Sequence, residues 1–267
     1  MSSPSSFTNY EKFVIAALTF LQFTLILDFM IMSPLGALMM PALKISPTQF
    51  GFIVSVYAFS AATSGILAAG FADRFDRKKL LMFFYVGFLL GTLFCALASN
   101  YPAMIAARMI TGLFGGVIGS IVFAMITDLF PYQKRGRVMG FIQTAFAASQ
   151  VLGIPLGLFI SNRWGWHMPF LLIVAVGLIV GIVIFLKLQP VDAHLKLKQE
   201  GNAFLHLWNT LKNKDYILGF FATSLLSLGG YMMMPFASAY SVNNLKIPFS
   251  DLTFVYMITG HCLVALS

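Results

Sequence analysis

Apolar residues along this chain gather in separate runs of about 20, each long enough as a helix to cross about 30 Å of hydrocarbon. The runs fall at approximately 13–36, 48–72, 80–98, 102–130, 139–160, 169–188, 216–240 and from 252 onward. That predicts seven spans and part of an eighth. The segments between them are short and hold turn residues such as Pro41, Pro47, Asn100, Pro102, Pro131 and Gly165, so consecutive helices should be antiparallel neighbours. One gap is longer. From Gln189 to Asp215 the chain turns polar, with Lys196, Lys198, Glu200, Lys212 and Lys214, and carries a Phe204, Leu205, Leu207, Trp208, Leu211 stripe. This stripe is expected to lie on the membrane surface as an amphipathic helix. The expected order is a tail over 1–12, a six-helix bundle over 13–188, a linker over 189–215, and the start of a second bundle over 216–267.

Composition supports an all-α polytopic membrane protein. Of 267 residues, 59% are hydrophobic and only 10% charged, with a mean hydropathy of +0.86, whereas a soluble chain carries about 25% charged residues. Disorder, a disulfide-stapled secreted fold and an ordinary soluble enzyme are excluded. Cys95 and Cys262 sit in apolar runs without metal spacing and are expected to be buried free thiols. The polar N-terminus leads into an apolar run that is too long for a removable signal peptide and lacks a small-residue cleavage site.

The net charge of +8 first suggests a polyanion, but its distribution points to membrane orientation. With the N-terminus inside, that side receives Lys12; Arg74, Arg77, Lys78 and Lys79; Lys134, Arg135 and Arg137; and Lys187, Lys196, Lys198, Lys212 and Lys214. The opposite side keeps only Lys44, Arg163 and Lys246. This asymmetry predicts a cytoplasmic N-terminus. It also accounts for the charge without a nucleic-acid partner.

Asp28 and Arg108 lie inside spans, where a charge costs at least about 2.5 kcal/mol and marks a pathway or a partner. Asp28 falls about 22 Å along its helix from the inside, and Arg108 about 10 Å along its helix from the outside. The two should therefore sit at similar depth and can pair, either as a proton-responsive switch or as a permanent ion pair that fixes packing. Gly112, Gly115, Gly116 and Gly119 give two overlapping GxxxG spacings, a face for close helix approach. Methionines cluster at Met30, Met32, Met39 and Met40, and again at Met232, Met233 and Met234; they suit a pocket for varied lipophilic shapes as well as plain core. Trp164, Trp166 and His167 are expected in an interfacial aromatic belt. His194, His206 and His261 lack metal-ligand spacing, and no HExxH, GxSxG or phosphate loop is present. No metal, cofactor or enzymatic activity is expected.

The segment Gly70-Phe71-Ala72-Asp73-Arg74-Phe75-Asp76-Arg77-Lys78-Lys79 resembles the signature loop between helices two and three of the major facilitator superfamily. Arg108-Met109-Ile110-Thr111-Gly112 in helix four, and Asp128-Leu129-Phe130-Pro131 followed by Arg135-Gly136-Arg137, resemble further motifs of that family. Gly153-Ile154-Pro155-Leu156-Gly157 is similar to the helix-five motif of its drug:proton antiporter branch. The sequence departs from the pattern at Ala69, Asp76 and Phe114. Asp76, standing where glycine is usual, is tolerable if the turn needs a left-handed residue, since Asp is among the few side chains that visit that region. The echo of FADRFDRKKLLMFF, from Phe71, in FISNRWGWHMPFLL, from Phe159, agrees with two inverted three-helix repeats.

The resemblance implies the major-facilitator fold and alternating access powered by a proton gradient. It implies export of a small, lipophilic molecule from a bacterial inner membrane; a same-fold uptake permease, or a non-transporting signalling or assembly protein, is the alternative. Asp28 and Arg108 would couple protons and substrate. Asp73, Arg74, Arg77 and Asp128 would form the cytoplasmic gate, and Gly153, Pro155 and Gly157 would make the antiporter-type bend, with both glycines facing the second bundle. The family has two six-helix halves, so a chain reaching Ser267, about 16 residues into its eighth apolar run, is expected to be part of a longer protein.

Overall fold

The computed structural model describes residues 6–68, 71–192, 195, 210 and 212–266. The stripe from Phe204 to Leu211, with Lys196, Lys198, Glu200, His194 and His206, lies outside the described residues, as do Ala69 and Gly70.

Every described element is helical, and the sequence shows where several of them begin. Helix α1 (Asn9–Leu43) starts at a capping box, with the Glu11 amide donating to Thr8 Oγ1 (3.1 Å) and the Thr8 amide to Glu11 Oε2 (2.7 Å). These two bonds satisfy donors that a helix start otherwise leaves open. Ser46 and Gln49 exchange the same pair of bonds, at 3.2 and 2.8 Å, at the start of α2 (Pro47–Ala68). Asp76 accepts from the Lys79 amide and caps α3 (Arg77–Leu97). Its φ of −56° is not left-handed, so Asp replaces glycine here by supplying a cap rather than a turn conformation. Asn100 caps α4 (Tyr101–Leu129), with Pro102 in the first turn. Next come α5 (Tyr132–Trp164), interrupted by a π-helical turn at Ser149–Gly153, and α6 (Met168–Lys187). Gly165 reverses the chain between them at φ 93°, a conformation that a Cβ would strain.

Beyond the linker, the predicted span over 216–240 is not one helix. Its arms Tyr216–Leu226 and Tyr231–Asn243 meet at 45°, and it divides into α7 (Lys214–Met233), a 3₁₀ turn at Met234–Phe236 and α8 (Ala237–Asn243). Pro235 lies in that turn; a proline removes a backbone donor and breaks a helix that hydropathy alone would continue. Helix α9 (Phe249–Leu266) follows. Among the described residues, six helices are long and apolar enough to cross a membrane, and the bent pair makes a seventh if taken as one span.

Helix α4 packs most extensively on α2 and α3, while α1 packs on α5 and α6, and α3 meets α6. Exchanging α1 with α4, α2 with α5 and α3 with α6 maps this set of pairings onto itself, as two inverted three-helix units require. The described apolar core forms two clusters. One holds Leu21, Leu25, Phe88 and Val117, the other Leu27, Ile31, Cys95 and Ala107. Asp28, Thr92, Arg108 and Thr111, all buried, form a polar layer where the clusters meet.

Candidate functional site

That layer contains one ion pair. Arg108 Nη1 donates to Asp28 Oδ2 at 2.7 Å, and both side chains are 0% exposed. Thr92 Oγ1 donates to the other carboxylate oxygen at 3.1 Å. The guanidinium carbon lies 4.4 Å from the centroid of the Tyr57 ring, a cation–π distance. Arg108 Nε and Nη2 have no hydrogen-bond partner among the described residues. Thr111 Oγ1 donates to the Ala107 carbonyl at 2.6 Å and lies 3.7 Å from Cys95 Sγ. The expected pairing of Asp28 with Arg108 is therefore present, and the structure adds Tyr57 and Thr92, which sequence reading missed. Their only signal was a polar group inside an apolar run, and such runs do not reveal how a helix is rotated.

Two glycines of α4 bring α2 alongside this layer. A Cβ on Gly112 would lie 2.4 Å from the Tyr57 carbonyl oxygen, and one on Gly116 would lie 2.4 Å from that of Ala61. Close approach at this interface requires glycine, as the first GxxxG spacing predicts. The second spacing is incomplete, because a Cβ on Gly119 would meet nothing.

A second cluster lies where the basic turns converge. Arg77 Nη2 donates to Asp73 Oδ1 at 2.7 Å, its Nε to Asp128 Oδ2 at 3.2 Å and its Nη1 to the Ala72 carbonyl at 3.3 Å. One guanidinium thus joins the α2–α3 turn to the end of α4. Arg74, expected with this set, is exposed and makes no ion pair among the described residues. The chain leaving α6 runs over the same cluster. The Arg77 amide donates to the Val191 carbonyl at 3.1 Å, Lys78 Nζ donates to the Phe185 carbonyl at 2.9 Å, and Leu188 and Val191 are buried. Lys134 pairs with Glu11 at 2.9 Å, linking the start of α5 to that of α1. The basic turns therefore gather at one end of the bundle.

In α5 the π turn ends immediately before Ile154 and Pro155. Gly153 and Gly157 do not face α7–α9, as the resemblance implied. A Cβ on either would meet α1 instead, at Leu27 (2.7 Å) and Ile31 (2.5 Å). The face of α5 that meets α9 is a different one. Of the residues expected in an aromatic belt, Trp166 is buried and stacks on His167 at 3.6 Å, while Trp164 is exposed.

Met30, Met32, Met39 and Met40 are buried core residues. Met32 also lines a cleft of about 370 Å³ with Phe29, Val54, Tyr231 and Met234. Met30 and Met234 line a second cleft of about 380 Å³ with Gln150 and Tyr256. Between the two, Ser33 Oγ donates to the Met234 carbonyl.

The family model described as the Major Facilitator Superfamily matches residues 18–265. The uncharacterized MFS-type transporter YceJ of Bacillus subtilis is 24% identical over 235 residues, covering 87% of this chain and 59% of that protein. Multidrug resistance protein 3 of the same organism is 32% identical over 129 residues, covering 48% of this chain and 25% of its own. The fold matches the crystal structure of a bacterial homolog of the human lysosomal transporter Spinster, inward-facing and unoccupied. There the TM-score is 0.71 and the identity 19%, covering 93% of this chain and 59% of that one. The chain therefore spans 59% of YceJ and of the Spinster homolog, and a quarter of multidrug resistance protein 3.

Proposed function

Because this chain belongs to the Major Facilitator Superfamily, we propose that it supplies the first half of a proton-coupled transporter that exports a small, lipophilic molecule by alternating access. The observation that carries this reading is the Asp28–Arg108 pair, wholly buried and bonded at a single contact of 2.7 Å. A charge pair held among apolar helices is costly unless both members stay charged together. Protonating Asp28 removes the charge that holds Arg108, whose Nε and Nη2 already lack acceptors, so α1 and α4 lose their tie in that layer. The proton thereby selects between two helix arrangements, and substrate release follows from their different affinities.

At the other site, Arg77 holds Asp73 and Asp128 together and stabilises one of those arrangements. The π turn at Ser149–Gly153, followed by Pro155, gives α5 a hinge point against α1. The two clefts flanking Ser33 and Met234 offer apolar, methionine-bearing walls suited to lipophilic shapes. Export is favoured over uptake by the likeness to a relative named multidrug resistance protein 3. The segregation of Lys and Arg supports a cytoplasmic basic end, and the Bacillus subtilis relatives support a bacterial inner membrane.

The test is flux in everted vesicles that carry the chain within its complete transporter. An imposed proton gradient should drive solute movement, and Asp28→Asn should abolish that drive while solute binding persists. Proton-driven accumulation retained by Asp28→Asn would overturn the coupling assignment. Movement down the direction of proton flow would select symport instead.

A further inference from the structure

Asp28 holds only one edge of the Arg108 guanidinium, through Nη1 at 2.7 Å. The guanidinium carbon lies over the Tyr57 ring, 4.4 Å from its centroid, while Nε and Nη2 have no partner among the described residues. The helices fix where that ring sits. Arg108, Gly112 and Gly115 share one face of α4 by their spacing. A Cβ on Gly112 would lie 2.4 Å from the Tyr57 carbonyl oxygen, and one on Gly115 would lie 3.2 Å from the Tyr57 hydroxyl. The two glycines therefore leave a slot in α4 along which α2 lays Tyr57. From α1, Phe29 touches the same ring, with centroids 5.4 Å apart and planes inclined by 34°; that apolar contact is indifferent to a proton on Asp28. The titratable groups facing the guanidinium are Asp28 from α1, Tyr57 from α2 and Cys95 from α3. A phenol and a thiol ordinarily keep their protons at neutral pH, so Asp28 is the group whose charge can change there.

A cation among apolar helices needs a counter-group in both protonation states of Asp28. With Asp28 ionised, the carboxylate supplies it. With Asp28 neutral, what remains is the negative face of the ring, whose attraction for a cation is strongest where water is excluded. We propose that Tyr57 is the positioning residue of the proton switch: its ring keeps Arg108 in the layer when Asp28 takes up a proton, so that α4 keeps its tie to α2 while α1 loses its own. This rests on the proposed coupling role of Asp28, and it gives the release a direction. The contacts of Gly112 and Gly116 hold α2 against α4 in either state, and α1 is the helix set free.

The first measurement needs no transport. It is a denaturant titration of the chain in detergent across a double-mutant cycle, with Asp28→Asn standing in for the protonated acid. Tyr57→Leu should lower the folded-to-unfolded ratio about fivefold more in the Asp28→Asn background than in the parent. Tyr57→Phe, which keeps the ring face, should cost the same in both. Trifluorophenylalanine at position 57 keeps the shape but withdraws the negative charge of the face, and should reproduce the Tyr57→Leu difference even if Tyr57→Leu itself folds poorly. An equal loss in both backgrounds, or Tyr57→Phe behaving as Tyr57→Leu, would overturn the proposal. The second measurement is proton-driven flux by the complete transporter in everted vesicles. There Tyr57→Leu should move the half-maximal point to about fivefold higher proton concentration, because the protonated form has lost its counter-group, and Tyr57→Phe should return it to the parent value. A lower maximal rate at an unmoved midpoint would make Tyr57 a packing residue only. Asp28→Asn is assayed alongside: proton drive retained there would overturn the coupling reading, whereas the cycle in detergent decides the role of the ring by itself.

Discussion

The two ion-pair clusters use the same chemistry and are built in opposite ways. Arg77 spends Nε, Nη1 and Nη2 on Asp128, Ala72 and Asp73, yet Asp73 is 56% exposed and Asp128 19%. Arg108 has one hydrogen bond, two unmatched nitrogens and no exposure at all. The first site is saturated but wet; the second is dry but incomplete. Water or lipid headgroups can replace any partner that Arg77 loses, so its cluster is a graded fastening. If Asp28 loses its charge, the Tyr57 ring is left beside a guanidinium that no water reaches, so the proposed two-state behaviour is placed at that site. On the proposed function, the switch belongs at the dry site and the latch at the wet one.

The comparison would break first at Arg108. Arg108→Leu strands the Asp28 carboxylate among apolar helices, and unfolding stability in a denaturant titration in detergent should fall by about 3–5 kcal/mol. Replacing both residues, Asp28→Leu with Arg108→Leu, should restore most of it, since a buried pair exchanged for apolar packing costs little. If the double variant is as unstable as the single one, the loss comes from packing rather than stranded charge. Arg77→Ala removes more hydrogen bonds but should cost less, about 2 kcal/mol, because Asp73 and Asp128 regain water. A larger loss at Arg77 than at Arg108 would invert the contrast between wet and dry.

Much of this contrast was legible in the sequence. Charges inside an apolar run stand out, so Asp28 and Arg108 could be singled out and their depths compared by counting residues. The Arg77 cluster could be anticipated because its members flank short turns on the basic side. What hydropathy could not supply was rotation: α1, α2 and α4 are apolar nearly all round, so nothing in their pattern says that Tyr57 meets Arg108 or that Gly153 faces Leu27. Local backbone events were hidden too. The π turn at Ser149–Gly153 carries no composition signal, whereas the break at Met234–Phe236 had one in Pro235 that a continuous apolar run concealed. The strap over Arg77 was missed because Leu188 ends the sixth apolar run and Val191 stands at the start of the segment assigned to the linker.

Thr92 sharpens the dry site. Thr92→Val keeps the shape of the side chain and deletes only the bond to Asp28 Oδ1. A lost hydrogen bond to a buried carboxylate should cost about 1.5 kcal/mol. In transport, it should move the proton dependence of flux without abolishing it, since the Arg108 contact persists. An unchanged proton profile would mean that Thr92 only packs, and the carboxylate's environment would then rest on Arg108 and Tyr57 alone.

Asp73→Asn should have the smallest effect and is the most exacting test of the wet site. The Arg77–Asp73 contact is short, at 2.7 Å, but its acid is more than half exposed. Distance alone would rank it with Asp28–Arg108, whereas solvent screening ranks it far lower, because exposed pairs contribute about 0.2–1 kcal/mol. The expected loss is therefore under about 1 kcal/mol, fading as salt is raised past a Debye length of about 8 Å. Asp128→Asn, at the less exposed partner, should lose more in spite of its longer 3.2 Å contact. If the order follows distance instead, with Asp73→Asn the more damaging and salt without effect, then the turn excludes water. The basic end would then be a second switch rather than a latch.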